Sequence, residues 1–124
     1  MIRISEDEFH SMMDDAIATI PKEFKKKIEN VVFIVEQYPT ESDIERLGLP
    51  NIYSLLGLYS GTPYTFRNTY YMGVTPDRII LFQRNIESHC DSIVELKEKI
   101  REVVVHEVAH YFGMNEDEIR QAGY

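Results

Sequence analysis

The sequence predicts a mixed fold of helices and strands, helical at both ends with the strands between. An apolar stripe at helical spacing runs from Phe9 to Ile20, and helical spacing returns from Ile93 to Val108. Between them lie three runs rich in β-branched and aromatic residues, at Val31–Val35, Leu55–Tyr59 and Arg78–Arg84. At 124 residues the chain is expected to be one domain, residues 1–124, long enough to build a core without disulfides.

Composition narrows the class. Hydrophobic residues at 44% and charged residues at 27% are ordinary for a globular protein and argue against disorder. The 8 tyrosines and 6 phenylalanines can supply the bulk of a core that has no tryptophan. A formal charge of −8 argues against general affinity for nucleic acid or anionic membranes, both of which need a cationic face. Cys90 is the single cysteine, so no intrachain disulfide can form, which fits a reducing compartment. Met1 to Phe9 is acidic and carries no apolar run, and no stretch is long and apolar enough to cross a bilayer, so a cytoplasmic location is the expectation.

The elements follow in order. Ser5 and Glu8 have the spacing of a capping box, and Phe9, Met12, Met13, Ala16, Ile17 and Ile20 mark one face of a helix from about Glu6 to Thr19. Pro21 suits the first turn of a short second helix that turns Phe24 and Ile28 inward and leaves Lys22, Lys25, Lys26 and Lys27 wet. Val31 to Val35 reads as a strand buried on both faces. From Gln37 to Ile52 the chain alternates charge, proline and glycine, with one helical turn after Thr40. Leu55 to Tyr59 is a glycine-interrupted strand, followed by a turn at Ser60–Pro63 and an aromatic, polar stretch from Tyr64 to Thr75 that suits a long loop or a hairpin. Arg78 to Arg84 is the third strand.

The last helix is the most regular. Ser92 and Glu95 repeat the capping spacing, Ile93, Leu96, Ile100, Val104 and Val108 continue the stripe, and Gly113 suits a left-handed stop. From Val103 onward apolar residues fall on nearly every side, so this half of the helix belongs in the centre of the domain.

Into that apolar half the sequence sets His106, Glu107 and His110. Burying ionisable groups is costly, so they need a purpose. Histidines four residues apart lie one turn apart on one face and can aim at one point. Imidazole nitrogen is a good zinc ligand, and two such ligands with a third leave one position open for water. Glu107 projects about 100° around the helix from His106, so it can reach that water as general base without taking a ligand position. In chains of this composition the H-E-x-x-H triplet arises by chance about once in 70. The competing reading makes both histidines core residues bonded to carbonyls and Glu107 half of an ion pair.

Downstream, Gly113 lets the chain turn back, and Asn115-Glu116-Asp117-Glu118 offers three acids. A carboxylate can complete a zinc site. Glu116 is the first choice and Asp117 the second, while all three acids also suit the start of a last helix.

The run Val105-His106-Glu107-Val108-Ala109-His110-Tyr111-Phe112-Gly113-Met114 resembles the signature of the bacterial minimal zincin-like metallopeptidases. Asn30 to Glu36, Leu56 to Pro63 and Pro76 to Ile79 match in order and spacing. The resemblance implies a compact α+β zincin-like fold, with a small twisted mixed sheet, a packed N-terminal helix and the motif helix behind the sheet. It implies Zn2+ held by His106 and His110, Glu107 as general base, and an acidic third ligand that aligns with Glu116. The third histidine of metzincins is absent, and only eleven residues follow Gly113, so no methionine-bearing turn is expected and Met114 reads as a packing residue.

The function expected is a zinc-dependent hydrolase acting on peptide or protein substrates; the alternative is a metal-stabilised binding or regulatory domain with little catalysis. Zincins commonly lay a peptide along an exposed strand, and Leu55–Tyr59 suits either that edge or an ordinary core strand. Tyr111 reads as packing rather than cleft-facing. No oxyanion donor can be assigned, and Arg67, Tyr64, Tyr70 and Tyr71 receive no role. His89 reads as a surface histidine, Cys90 as a packed thiol, and His10 as a residue of the polar helix face.

Overall fold

The computed structural model describes residues 1–61 and 76–123, so Arg67, Tyr64, Tyr70, Tyr71 and the expected loop or hairpin lie outside the described residues. Helix α1 spans Glu6–Ala18, with Ser5 Oγ accepting from the Glu8 N–H at 3.1 Å. Glu8 answers by accepting from the Ser5 hydroxyl at 3.0 Å, so the reciprocal half of the cap meets a side chain rather than the backbone. Phe9, Met13 and Ala16 form its buried stripe, and Ile20 extends it. Pro21 precedes the short α2, Lys22–Lys25. Lys22, Lys25, Lys26 and Lys27 are exposed as expected, but Phe24 is not turned into the core. It stays 43% exposed and meets Phe112 edge to face, because a single turn is too short to bury a ring on its own.

Strand β1 is Val31–Glu36, β2 is Gly57–Ser60 and β3 is Asp77–Phe82. They form a mixed sheet in the order β1-β3-β2, with β1 parallel and β2 antiparallel to β3. The expectation that Val31–Val35 is buried on both faces is corrected by its exposure: Val32 is 40% exposed and the other residues of β1 are half-buried. β3 takes the centre, with Ile79, Ile80, Leu81 and Phe82 all buried, and among the described residues β1 pairs with β3 alone. A β-branched run suits a half-covered pleated surface as well as a covered one, so composition alone does not separate the two.

Two helices interrupt the expected pattern. The turn after Thr40 is α3, Glu41–Leu47, with a full capping box between Thr40 and Asp43. The run Arg78–Arg84 is strand only to Phe82; Gln83–Glu87 forms α4. A helical turn stacks Gln83 and Glu87 on one side, where both are buried. Gln83 Nε2 donates to the Ile4 carbonyl and to Glu87 Oε2, at 3.1 and 3.2 Å. Glu87 also accepts from the Ile4 N–H at 2.9 Å and from Arg84 Nη1 at 2.8 Å. These long-range partners override the strand propensity of the preceding residues.

Helix α5, Ile93–Tyr111, runs through the middle of the structure. Its stripe of Leu96, Ile100, Val103, Val104 and Val108 packs in one cluster with Phe9, Met13, Ala16 and Ile20 of the α1 region and Ile79 and Leu81 of β3. Ile93, expected to begin that stripe, is instead 39% exposed in the first turn of the helix. Helix α6, Glu116–Gln121, follows a short turn, and its Asn115 N-cap forms a full capping box with Glu118. This arrangement of helices on a small mixed sheet is an α+β fold. No helix among the described residues is long and apolar enough to cross a membrane. Replacing Glu87 by alanine leaves the Ile4 N–H unmet and takes the carboxylate from Arg84, which keeps its bond to Gln37; the expected loss is about 1–3 kcal/mol in urea unfolding, against a smaller loss for Glu87→Gln.

Candidate metal centre

The C-terminal turns of α5 carry His106 and His110 on one face, half-buried, with ring centroids 5.0 Å apart and planes crossing at 75°. Both rings turn Nε2 toward the same carboxylate. Glu116 Oε1 lies 3.2 Å from His106 Nε2 and 2.9 Å from His110 Nε2, and Oε2 is also 3.2 Å from His106 Nε2. Glu116 belongs to the first turn of α6, so the acids do start that helix, as the competing expectation held, while one of them reaches back. Asp117, by contrast, is 83% exposed and faces Arg120.

The return of the chain is set by Gly113, whose φ of 89° lies in the region that glycine adopts freely. The Gly113 N–H donates to His110 O at 2.9 Å and the Met114 N–H to Ala109 O at 3.1 Å, the paired bonds of a Schellman stop. The same turn brings the Met114 carbonyl 3.1 Å from His110 Nδ1. A carbonyl only accepts, so Nδ1 carries the proton and Nε2 of the neutral ring presents a lone pair. Met114, expected only to pack, therefore contributes through its backbone.

Glu107 leaves the helix on the side of the sheet and is 6% exposed. Strand β2 passes directly over it: a Cβ on Gly57 would lie 2.7 Å from Val103 Cγ1 and 3.1 Å from Glu107 Cγ, so only glycine permits this approach. The Tyr59 backbone N–H bonds to the Glu107 carboxylate. Burial pushes the Glu107 carboxyl above the ordinary glutamate range, and the neighbouring imidazoles and this N–H offset part of the rise. At Glu116 burial acts in the same sense, but the bonds and charges of His106 and His110 outweigh it and hold that carboxyl below the ordinary value. One ligand atom from each of His106, Glu107 and His110 can be chosen so that all lie within 4.8 Å of one another.

The donor set fits a zinc ion. Two imidazole Nε2 atoms and a carboxylate oxygen that meet at 2.9–3.2 Å can share a proton or surround a cation, and nitrogen and carboxylate oxygen are both zinc ligands. Zinc–ligand bonds of about 2.0–2.1 Å at tetrahedral angles put neighbouring donors about 3.3 Å apart. The separations of 2.9 and 3.2 Å between the imidazole nitrogens and Glu116 match that edge. The His110 Nδ1 bond to a carbonyl is the kind of support that metal-ligating histidines receive.

A family model described as zincin-like metallopeptidase matches residues 28–124. The chain belongs to this family. No curated relative matches it. The matched span includes the three strands of the described residues and the stretch from His106 to Glu116, while α1 and α2 lie outside it.

Other residues singled out in the sequence fall away from the cluster. Tyr111 is fully buried; its hydroxyl donates to Lys27 O at 3.2 Å and accepts from the Glu29 N–H at 3.1 Å, so it packs as expected. His89 is exposed, Cys90 is buried, and His10 lies exposed 3.4 Å from Asp14. Sequence reasoning missed the Tyr59 N–H and read Gly57 as a weakness of its strand. Neither carries a local signal, since each acts on a residue far along the chain.

Two results are expected. Gly57→Ala forces Val103 and Glu107 aside and lowers stability by about 1–3 kcal/mol in denaturant unfolding. In metal-free protein, a raised folded-state pKa means that the native state binds the Glu107 proton more tightly than the unfolded chain does. Its contribution is therefore fully present in acid and is lost as pH rises above the ordinary glutamate value. Glu107→Gln should thus gain stability relative to wild type as pH rises from 4 to 7, in melts recorded with chelator; a parallel pair of curves would contradict this.

Proposed function

We propose that the chain is a zinc-dependent peptidase working as one domain, with His106, His110 and Glu116 as metal ligands and Glu107 as general base. What supports the reading is the convergence of two imidazole Nε2 atoms and one carboxylate within 2.9–3.2 Å, beside a buried, proton-loving glutamate. The free, buried Cys90 suits a reducing, cytoplasmic setting.

Zinc held by His106, His110 and Glu116 would supply Lewis acidity, acidifying water and polarising a carbonyl. The chain's own groups do the rest. The Met114 carbonyl keeps the proton of His110 on Nδ1 and so keeps Nε2 directed at the site. Glu107 accepts a proton from the attacking water as its oxygen bonds to the carbonyl carbon. It then delivers that proton to the amine nitrogen as the carbon–nitrogen bond breaks. The upward push of burial suits this double duty, because a carboxylate nearer neutrality in pKa both takes and returns a proton readily.

Metal analysis of the purified chain should give about one zinc per molecule. Glu107→Gln should keep the zinc and lose peptide cleavage by about 10²-fold or more, whereas Glu116→Ala should lose zinc to a chelator at far lower concentration than wild type. Full activity in Glu107→Gln would reject the mechanism. Stoichiometric zinc with no cleavage of a broad peptide pool would favour a metal-stabilised binding domain instead.

A further inference from the structure

The candidate ligands lie in a groove of about 900 Å3, within the size range of sites that enclose ligands. α5 forms one side through Lys99, Val103, His106 and His110, at spacings that keep one helical face along the groove. The facing wall is aliphatic. Leu47 and Leu49 come from the end of α3, Leu55 precedes β2 and Leu58 lies within it. Leu47 is 39% exposed and the other three are half-buried, so each presents apolar surface to solvent beside ionisable groups. None of these leucines belongs to the main core cluster, and none has a part in holding a metal or moving a proton.

Lys99 lines the same groove with its Nζ 3.2 Å from Glu102, so that its charge is already met. A carboxylate laid against the four leucines gives up water and finds no donor among them. Apolar surface covered there gains free energy in proportion to its area. The leucines therefore favour an apolar side chain over an acidic one.

We propose that Leu47, Leu49, Leu55 and Leu58 form a recognition wall that seats a bulky apolar side chain, of leucine, methionine or phenylalanine size, next to the reacting bond and rejects acidic residues at that position. The inference deepens the peptidase reading above and rests on it. The wall belongs to the same groove as the His106–Glu116 cluster, so a peptide whose carbonyl reaches the cluster must lay a neighbouring side chain along it.

The test uses three peptide hydroxamates that differ only in one side chain, leucine, alanine or aspartate, titrated into the zinc-loaded full chain by calorimetry. The leucine compound should bind about tenfold or more tighter than the alanine one, and the aspartate compound weakest. Leu47→Asp and, independently, Leu55→Ala should shrink the leucine-to-alanine ratio to about twofold or less, with zinc content unchanged. Equal binding of the three compounds to wild type, or binding of none, overturns the proposal. Digestion of a peptide pool separates the two readings. Cleavage without apolar bias removes the recognition wall and leaves the peptidase; selective hydroxamate binding without cleavage keeps the wall and removes the peptidase.

Discussion

Two imidazole nitrogens converging on one carboxylate are the constraint around which this site is arranged. With Nδ1 of His110 engaged by the Met114 carbonyl, its Nε2 points at Glu116 Oε1, 2.9 Å away. His106 Nε2 points at the same oxygen. Such a cluster is repulsive unless positive charge sits within it, supplied by protons or by a metal ion. The groups around it fall into order once that requirement is met: Gly113 turns the chain, the Asn115–Glu118 capping box starts α6, and Glu116 is left free to swing back.

Most of what is local was legible in the sequence. The stripes of α1 and α5, their Ser5 and Ser92 caps, the Gly113 stop and the H-E-x-x-H triplet are all encoded within a few turns of chain, and they form as the spacing indicates except at Ile93, which stays exposed. What escaped depends on distant partners. Val31–Val35 has the composition of a central strand, yet among the described residues it pairs on one side only, because sheet order is decided by how β3 pairs with both neighbours. Gln83–Glu87 continues a β-rich run and coils instead, because Ile4 and Gln37 supply partners that only a helical turn can meet.

The candidate site divides along the same line. Ligand spacing is a property of one helix and its following turn, which is why His106, His110 and the acids beyond Gly113 could be singled out from sequence. The surroundings of Glu107 are not. Its burial comes from β2 lying across α5, and that approach is possible only because residue 57 has no side chain. A glycine in a strand carries no mark that distinguishes a close crossing from a weak point.

From His106 to Glu116 the proposed metal donors occupy one short stretch of chain, and closing so small a loop carries little entropic penalty. The partners of Glu107, Gly57 and the Tyr59 N–H, arrive from the far half of the sequence and must wait for the sheet to assemble. The His106–Glu116 cluster and the enclosure of Glu107 are therefore set by contacts of different range. A chain whose sheet has frayed can keep the first while losing the dry surroundings of the second.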